Sequence, residues 1–141
     1  MNVITVKYHD GYSCVTSING THSQIVEYFL GSIRDFAYFG PDDVEISNKK
    51  ICVEIQFDPG ITDTPKEQLV YSLTNKQASL AAFHSGDKNL ILHYLKTTKT
   101  AGEGYWERIT EHMDGLQTRE VLKSVLLGTW NHILETDDFQ V

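Results

Sequence analysis

Ile51, Val53, Ile55 and Phe57 alternate with Cys52, Glu54 and Gln56, the cleanest period-two run in the chain and the pattern of a strand with one buried face. Just upstream, "DVEIS" is a shorter apolar–polar run, and the intervening "NKK" predicts a hairpin between the two. An earlier hairpin is predicted over residues 3–18, where "VITVKY" and "YSCVTSI" are rich in β-branched and aromatic residues. They flank "HDG", in which Asp10 and Gly11 suit the positive φ of a tight turn. Between the hairpins the period changes. In "INGTHSQIVEYFLG", Ile25, Val26, Phe29 and Leu30 share a helical face, Thr21 and Gln24 form a capping box, and Gly31 is a stop signal. A helix over 22–30 is too short to stand alone and must gain stability by covering one face of the sheet. "SIRDFAYFGP", with Phe36, Tyr38 and Phe39, reads as an aromatic linker.

Past residue 58 the pattern changes. "TPKE" is a second capping box, with Thr64 as cap, Pro65 in the first turn and Glu67 reaching back, and it predicts a helix from Pro65. Leu69, Val70, Leu73, Leu80 and Phe83 partly keep helical phase. Yet "QLVYSLT", "SLAAFHS" and "NLILHYLK" also read as a three-stranded meander turning at "NKQ" and "SGDK", so 68–96 stays open between helix and strands. "EGYWERITEHMDG" predicts a helix with Trp106, Ile109 and Met113 on one side, ended by Gly115. A last helix, capped by Thr118, carries an apolar stripe of Val121, Leu122, Val125, Leu126, Trp130, Ile133 and Leu134. That stripe is broader than one small sheet needs, and a homo-oligomer would use the surplus. The fold class is α+β in a single domain, residues 1–141. An N-terminal antiparallel sheet of two hairpins with a short covering helix spans 1–58, and a mainly helical part spans 59–141.

Charge narrows the partners. With 12 Lys and Arg against 19 Asp and Glu, the net charge of −7 argues against gripping duplex nucleic acid, which needs a dense basic face. A local basic pocket, or a basic protein partner, remains compatible. No apolar run approaches the ~20 residues of a membrane-spanning helix. The opening "MNVITVKYHDG" lacks the basic start of a secretory signal, so a cytoplasmic location is expected. Cys14 and Cys52 fall within predicted strands without metal or redox spacing and read as reduced core residues, with Glu54 on the strand face of Cys52.

Motifs for chemistry are sparse. His84 and His93 lack ligand-spaced neighbours, His112 follows Glu111 directly, and His132 with Glu135 makes only a pair, so no metal site is expected. No nucleophile elbow, P-loop or dinucleotide fingerprint occurs, and the Asp42-Asp43 and Asp137-Asp138 pairs read as solvated charge. A binding protein without cofactor is favoured over an enzyme. The one stretch that suggests a ligand is "KTTKTAGEGYW": Lys96, Lys99 and Thr100 border a glycine-bearing loop that enters a helix at Tyr105 and Trp106. Exposed loop N–H groups beside cations suit an anion, and an aromatic ring could stack a base. Arg119 and Lys123, four apart on one helix face, could add phosphate contacts.

"TSINGTHSQIVEYFLG", followed by the polar–aromatic linker and a "VEIQF" strand, resembles small proteins encoded by phages and prophages of Gram-positive bacteria, over about residues 1–58. The layout of a sheet followed by paired helices is similar to that of the anti-Thoeris sponge proteins, which sequester cyclic ADP-ribose signals. That resemblance implies a non-enzymatic oligomer acting in the host cytoplasm, holding its ligand's phosphates with basic residues, here Arg119 and Lys123. The function expected first is therefore counter-defence by sequestering a small anionic nucleotide of the cyclic ADP-ribose or cyclic oligonucleotide type. A protein-binding inhibitor or immunity protein is the second reading, and a small nucleotide hydrolase the third.

Overall fold

The computed structural model describes residues 1–59 and 69–129. It is an α+β chain in which an antiparallel sheet precedes the helices, and it divides into two compact units, one over Met1–Ala78 and one from Ser79 onward. The helix predicted to start at Pro65, and Trp130, Ile133 and Leu134 of the last stripe, lie outside the described residues.

The first unit begins with the expected hairpin. Strands β1 (Asn2–Tyr8) and β2 (Ser13–Ile18) pair antiparallel from Asn2 opposite Ile18 to Lys7 opposite Ser13. Gly11 takes the turn's positive φ of 92°, while Asp10 turns the chain by accepting the Tyr12 N–H at 3.1 Å. Helix α1 (His22–Phe29) is capped as predicted. Gln24 N–H donates to Thr21 Oγ1 at 3.2 Å and Thr21 N–H donates to Gln24 Oε1 at 3.0 Å. Ile25 and Phe29 of α1 enter one core with Ile4, Val6, Tyr8, Cys52, Ile55 and Phe57. Burial of each such side chain contributes about 1.5–3 kcal/mol, which is how so short a helix holds.

The second hairpin differs from the expectation. Strand β3 (Ile33–Asp35), inside the supposed linker, is the partner of β6 (Lys49–Phe57). The "DVEIS" segment supplies β5 (Glu45–Ile46), which pairs instead with β4 (Tyr38–Phe39) in a separate two-stranded sheet. Asp35 fixes this nesting: its carboxylate accepts from Ser47 Oγ at 2.8 Å and from the Asn48 N–H at 2.7 Å, so the chain re-enters β6 opposite β3.

The period-two reading of β6 is also corrected. Tyr8 pairs with Cys52 but Lys7 with Glu54, so Val53 is the extra residue of a β-bulge. The bulge reverses the side-chain phase, bringing Cys52 into the core with Ile55 and Phe57 and leaving Glu54 on the opposite face, ion-paired to Lys7 at 3.1 Å. Cys52 and Glu54 therefore do not share a face.

The ambiguous stretch 68–96 resolves as one strand and two helices. Val70–Ser72 is strand β7, paired to β6 from Glu54 opposite Ser72 to Gln56 opposite Val70, so the helical phase of Leu69, Val70 and Leu73 does not describe it. The sheet order is β2-β1-β6-β3, with β7 also on β6. Helix α2 (Asn75–Ser85) starts at a capping box within "TNKQ": the Thr74 N–H donates to Gln77 Oε1 at 2.9 Å and the Gln77 N–H to Thr74 Oγ1 at 3.1 Å. Helix α3 (Lys88–Thr98) starts after Gly86, with Asp87 accepting the Leu90 N–H at 3.1 Å. The "NKQ" and "SGDK" segments are thus helix starts, and the second and third meander strands do not form.

In the second unit, α4 (Tyr105–Ile109) is a single short turn and α5 (Gly115–Thr129) begins where the earlier helix was expected to end. Asp114, not Thr118, caps α5: Gln117 N–H donates to Asp114 Oδ1 at 2.7 Å, and Gln117 Oε1 accepts the Asp114 N–H at 3.0 Å. Thr118 is fully buried one turn on, its hydroxyl donating to the Asp114 carbonyl at 2.6 Å. Gly115 can start a helix there because its bare Cα lies against the Gly86 carbonyl, where any Cβ would collide. Leu122 and Leu126 of α5, and Leu90, Ile91, Tyr94 and Leu95 of α3, are all buried as these two helices pack. No helix among the described residues is long and apolar enough to cross a membrane.

Candidate functional site

The ligand-suggesting residues separate into three places. Lys96, Thr100 and Trp106 line one open pocket of about 360 Å³, together with Ala101, Gly102, Glu103, Gly104 and Glu107. Gly104 adopts φ 74°, the left-handed conformation that turns the loop into α4. Arg108 stabilises this turn by donating to the Glu103 carbonyl at 3.3 Å.

This pocket's electrostatics differ from those of an anion cradle. The Lys96 ammonium, the one on its wall among the described residues, is 2.5 Å from Glu107 Oε2, and Glu103 adds a second carboxylate. The hydrogen bond from Lys96 holds the Glu107 carboxyl below its ordinary pKa, so the carboxylate stays ionised at neutral pH. Trp106 is buried, with Nε1–H donating to the Lys99 carbonyl at 2.9 Å, so its ring staples the loop to α3. Tyr105 is 40% exposed and edge-on to Trp106 at 5.0 Å. Its ring is the accessible one.

Lys99 faces a second opening, of about 450 Å³, that it lines with Ser124, Val125 and Gly128. Arg119 and Lys123 lie one turn apart on α5. The Arg119 guanidinium sits over the Phe83 ring with its central carbon 5.2 Å from the centroid. Arg119 Nε is buried and meets no hydrogen-bond acceptor among the described residues. The arginine is therefore pre-oriented by a cation–π contact, with donor capacity unspent.

Sequence reading identified the basic residues but not what neutralises or orients them. Glu107 lies eleven positions from Lys96, a spacing with no local meaning, and Phe83 meets Arg119 only through tertiary packing. Elsewhere, Cys14 and Cys52 are both free thiols. Burial pushes the Cys52 thiol up to about 11 and the Tyr94 phenol up to about 12, so both are protonated at neutral pH. Among the described residues no three His, Cys, Asp or Glu side chains come together as metal ligands.

No family model, curated protein or solved structure matches this chain.

Proposed function

We propose that the chain is a binding protein that captures a small anionic ligand of the nucleotide class through Arg119, with Lys123 adding charge from the next turn. The observation that carries this reading is the arginine's state: a guanidinium over the Phe83 ring with a buried Nε–H that finds no acceptor among the described residues. A buried donor without a partner costs about 1–3 kcal/mol, and a phosphate or carboxylate oxygen relieves that cost. The Lys96–Glu107 pocket is not required by this reading, since its cation is already paired. The counter-defence role, the sequestration of a cyclic ADP-ribose or cyclic oligonucleotide signal in the host cytoplasm, and assembly into a homo-oligomer all belong to the same proposal. Leu116 and Leu127, exposed three turns apart on α5, are the apolar surface a second copy would cover.

The test is calorimetry with 3′,5′-cyclic AMP, a cyclic dinucleotide and cyclic ADP-ribose, with folding checked by circular dichroism. Arg119→Glu is expected to abolish uptake of whichever ligand binds, and Arg119→Lys to weaken it about tenfold through loss of the planar fork. Heat release of bound material separates the readings: intact ligand supports capture, altered ligand indicates hydrolysis. Unchanged affinity in Arg119→Glu, or no uptake at all, overturns the proposal in favour of a protein partner.

A further inference from the structure

The β4–β5 hairpin does not bury its apolar residues. Tyr38 is 52% exposed, Phe39 71%, Val44 63% and Ile46 39%. Isolated exposed apolar residues are ordinary, but four on one nine-residue hairpin, with Tyr38, Val44 and Ile46 on one face and Phe39 on the other, call for an explanation. The hairpin is ordered by its own bonds. Gly40 N–H donates to the Val44 carbonyl, Asp43 N–H donates to the Gly40 carbonyl, both at 3.0 Å, and Tyr38 pairs with Ile46. Its base is clasped by Asp35 through Ser47 and Asn48. Gly40 leaves its face to Ile46, whose Cδ1 lies 2.9 Å from where a Cβ would stand. Asp43 holds φ 59°, a strained turn position that asparagine and aspartate tolerate best. This is a preformed protrusion, and binding through it needs little ordering entropy.

Its charge selects the occupant. From Ala37 to Asn48 the chain carries Asp42, Asp43 and Glu45, all exposed, and no Lys or Arg. A second copy of this acidic chain, an anionic membrane surface and a nucleic acid would each be repelled at this tip. We infer that the hairpin docks onto a basic protein surface, wedging its tip, with Val44 on one face and Phe39 on the other, into an apolar cleft rimmed by Lys or Arg. The rest of the acidic chain, at net −7, would steer the encounter. This site is separate from Arg119. A tip this small places the contact at the weak end of protein interfaces, in the micromolar range and sensitive to salt.

The test uses an amphipathic helical peptide of leucine and lysine as the probe, with a leucine–glutamate counterpart and phosphatidylglycerol vesicles as comparison arms. Amide chemical shifts of the full chain are read during titration, and the result expected is perturbation concentrated at residues 38–46 by the cationic peptide alone. Phe39→Ser should weaken that binding about tenfold, and Asp42→Lys with Asp43→Lys by as much or more. Glu120→Lys, an equal charge change at an exposed position in the other unit, should alter it less than about twofold. Because Phe39 is exposed, Phe39→Ser is expected to keep the wild-type circular dichroism spectrum. Shifts spread over the whole acidic surface, equal losses in the hairpin and Glu120 variants, or preferential binding of vesicles would each overturn the inference.

Discussion

The sheet unit and the helical unit hold their buried polar groups by different means. In the sheet unit, Lys50 is almost wholly buried and paired with Asp10, forty residues away, while its ammonium sits 5.4 Å from the Tyr12 ring centroid and 5.7 Å from that of Phe36. In the helical unit the solutions are local or made by backbone. The Thr110 hydroxyl bonds back to the Trp106 carbonyl at 2.8 Å, and Lys88 Nζ satisfies the Thr110 and Met113 carbonyls at 2.6 and 2.9 Å. The sheet unit thus depends on a charge pair made by long-range register, and the helical unit on caps and on space between backbones. The two should fail under different insults.

The largest difference is expected at Gly115. Its Cα has no room for a side chain beside the Gly86 carbonyl, so Gly115→Ala must push α5 away from the turn before α3. We expect about 3 kcal/mol of destabilisation, the upper end of ordinary overpacking, because the obstacle is backbone. Gly102→Ala, whose Cβ would meet nothing within 4 Å, should change stability by less than about 0.5 kcal/mol. Urea unfolding followed by tryptophan fluorescence measures both. Equal effects would show that the close approach does not constrain the helical unit.

Gly115 also shows why the second half of the chain was harder to read. A glycine at the end of an apolar helical pattern signals a stop, and at Gly31, with φ 84° after α1, that rule holds. Gly115 obeys a different requirement, tertiary space, which leaves no trace in local sequence. Of the caps, only Thr21-Gln24 was legible: Thr74-Gln77 went unread, and Thr118 stood in the reading where Asp114 caps α5. Thr21-Gln24, Thr74-Gln77 and Asp114-Gln117 make the same reciprocal bonds three times, yet only the first stood before a clean apolar stripe. In α2, Ala78, Ser79, Ala82 and Phe83 are buried, two of them small and one polar, so the period that would have confirmed a helix is faint. In the sheet unit the alternating positions revealed β1, β2 and β6 because one covered face imposes period two. The bulge at Val53 and the nesting of β4–β5 inside β3–β6 depend on partners distant in sequence, and were missed. Of the candidate ligand residues, the basic positions could be found, but the pairing of Lys96 with Glu107 and of Arg119 with Phe83 could not.

A smaller, pH-dependent contrast separates the two ion pairs. Burial tends to raise the Asp10 pKa, but the Lys50 hydrogen bond, the Tyr12 N–H and the lysine's charge outweigh it and leave the carboxyl lowered. A depressed carboxylate contributes stability that is complete above its unfolded value, about 3.9, and is lost as pH falls through the lower folded value. Asp10→Asn leaves the buried Lys50 without its counter-ion and should cost about 2 kcal/mol at pH 7, with the gap to wild type narrowing below about pH 4. Glu107 is also lowered, chiefly by its hydrogen bond from Lys96, but that pair is exposed on both sides. Solvent screens such a pair, and Glu107→Gln should leave the acid limb of the stability curve unchanged. Thermal melts across pH decide between them; a flat difference for Asp10→Asn would mean that Lys50 is held by its aromatic neighbours alone.

The smallest expected effect, with no cost in stability, is chemical. Cys52 lies in the sheet core with none of its surface exposed and its thiol pushed up to about 11 by desolvation, whereas Cys14 on edge strand β2 is half-buried. The thiolate is the reactive form, so at pH 8 iodoacetamide should label Cys14 in the native protein and Cys52 at least about 100-fold more slowly. Cys52 labelling then reports opening of the sheet unit. Asp10→Asn should accelerate it, because the Lys50–Asp10 pair closes the sheet beside β6, and Gly115→Ala should not. If Gly115→Ala exposes Cys52 as much as Asp10→Asn does, the sheet and the helices open together, and the contrast between a charge-held unit and a space-held unit applies to packing but not to stability.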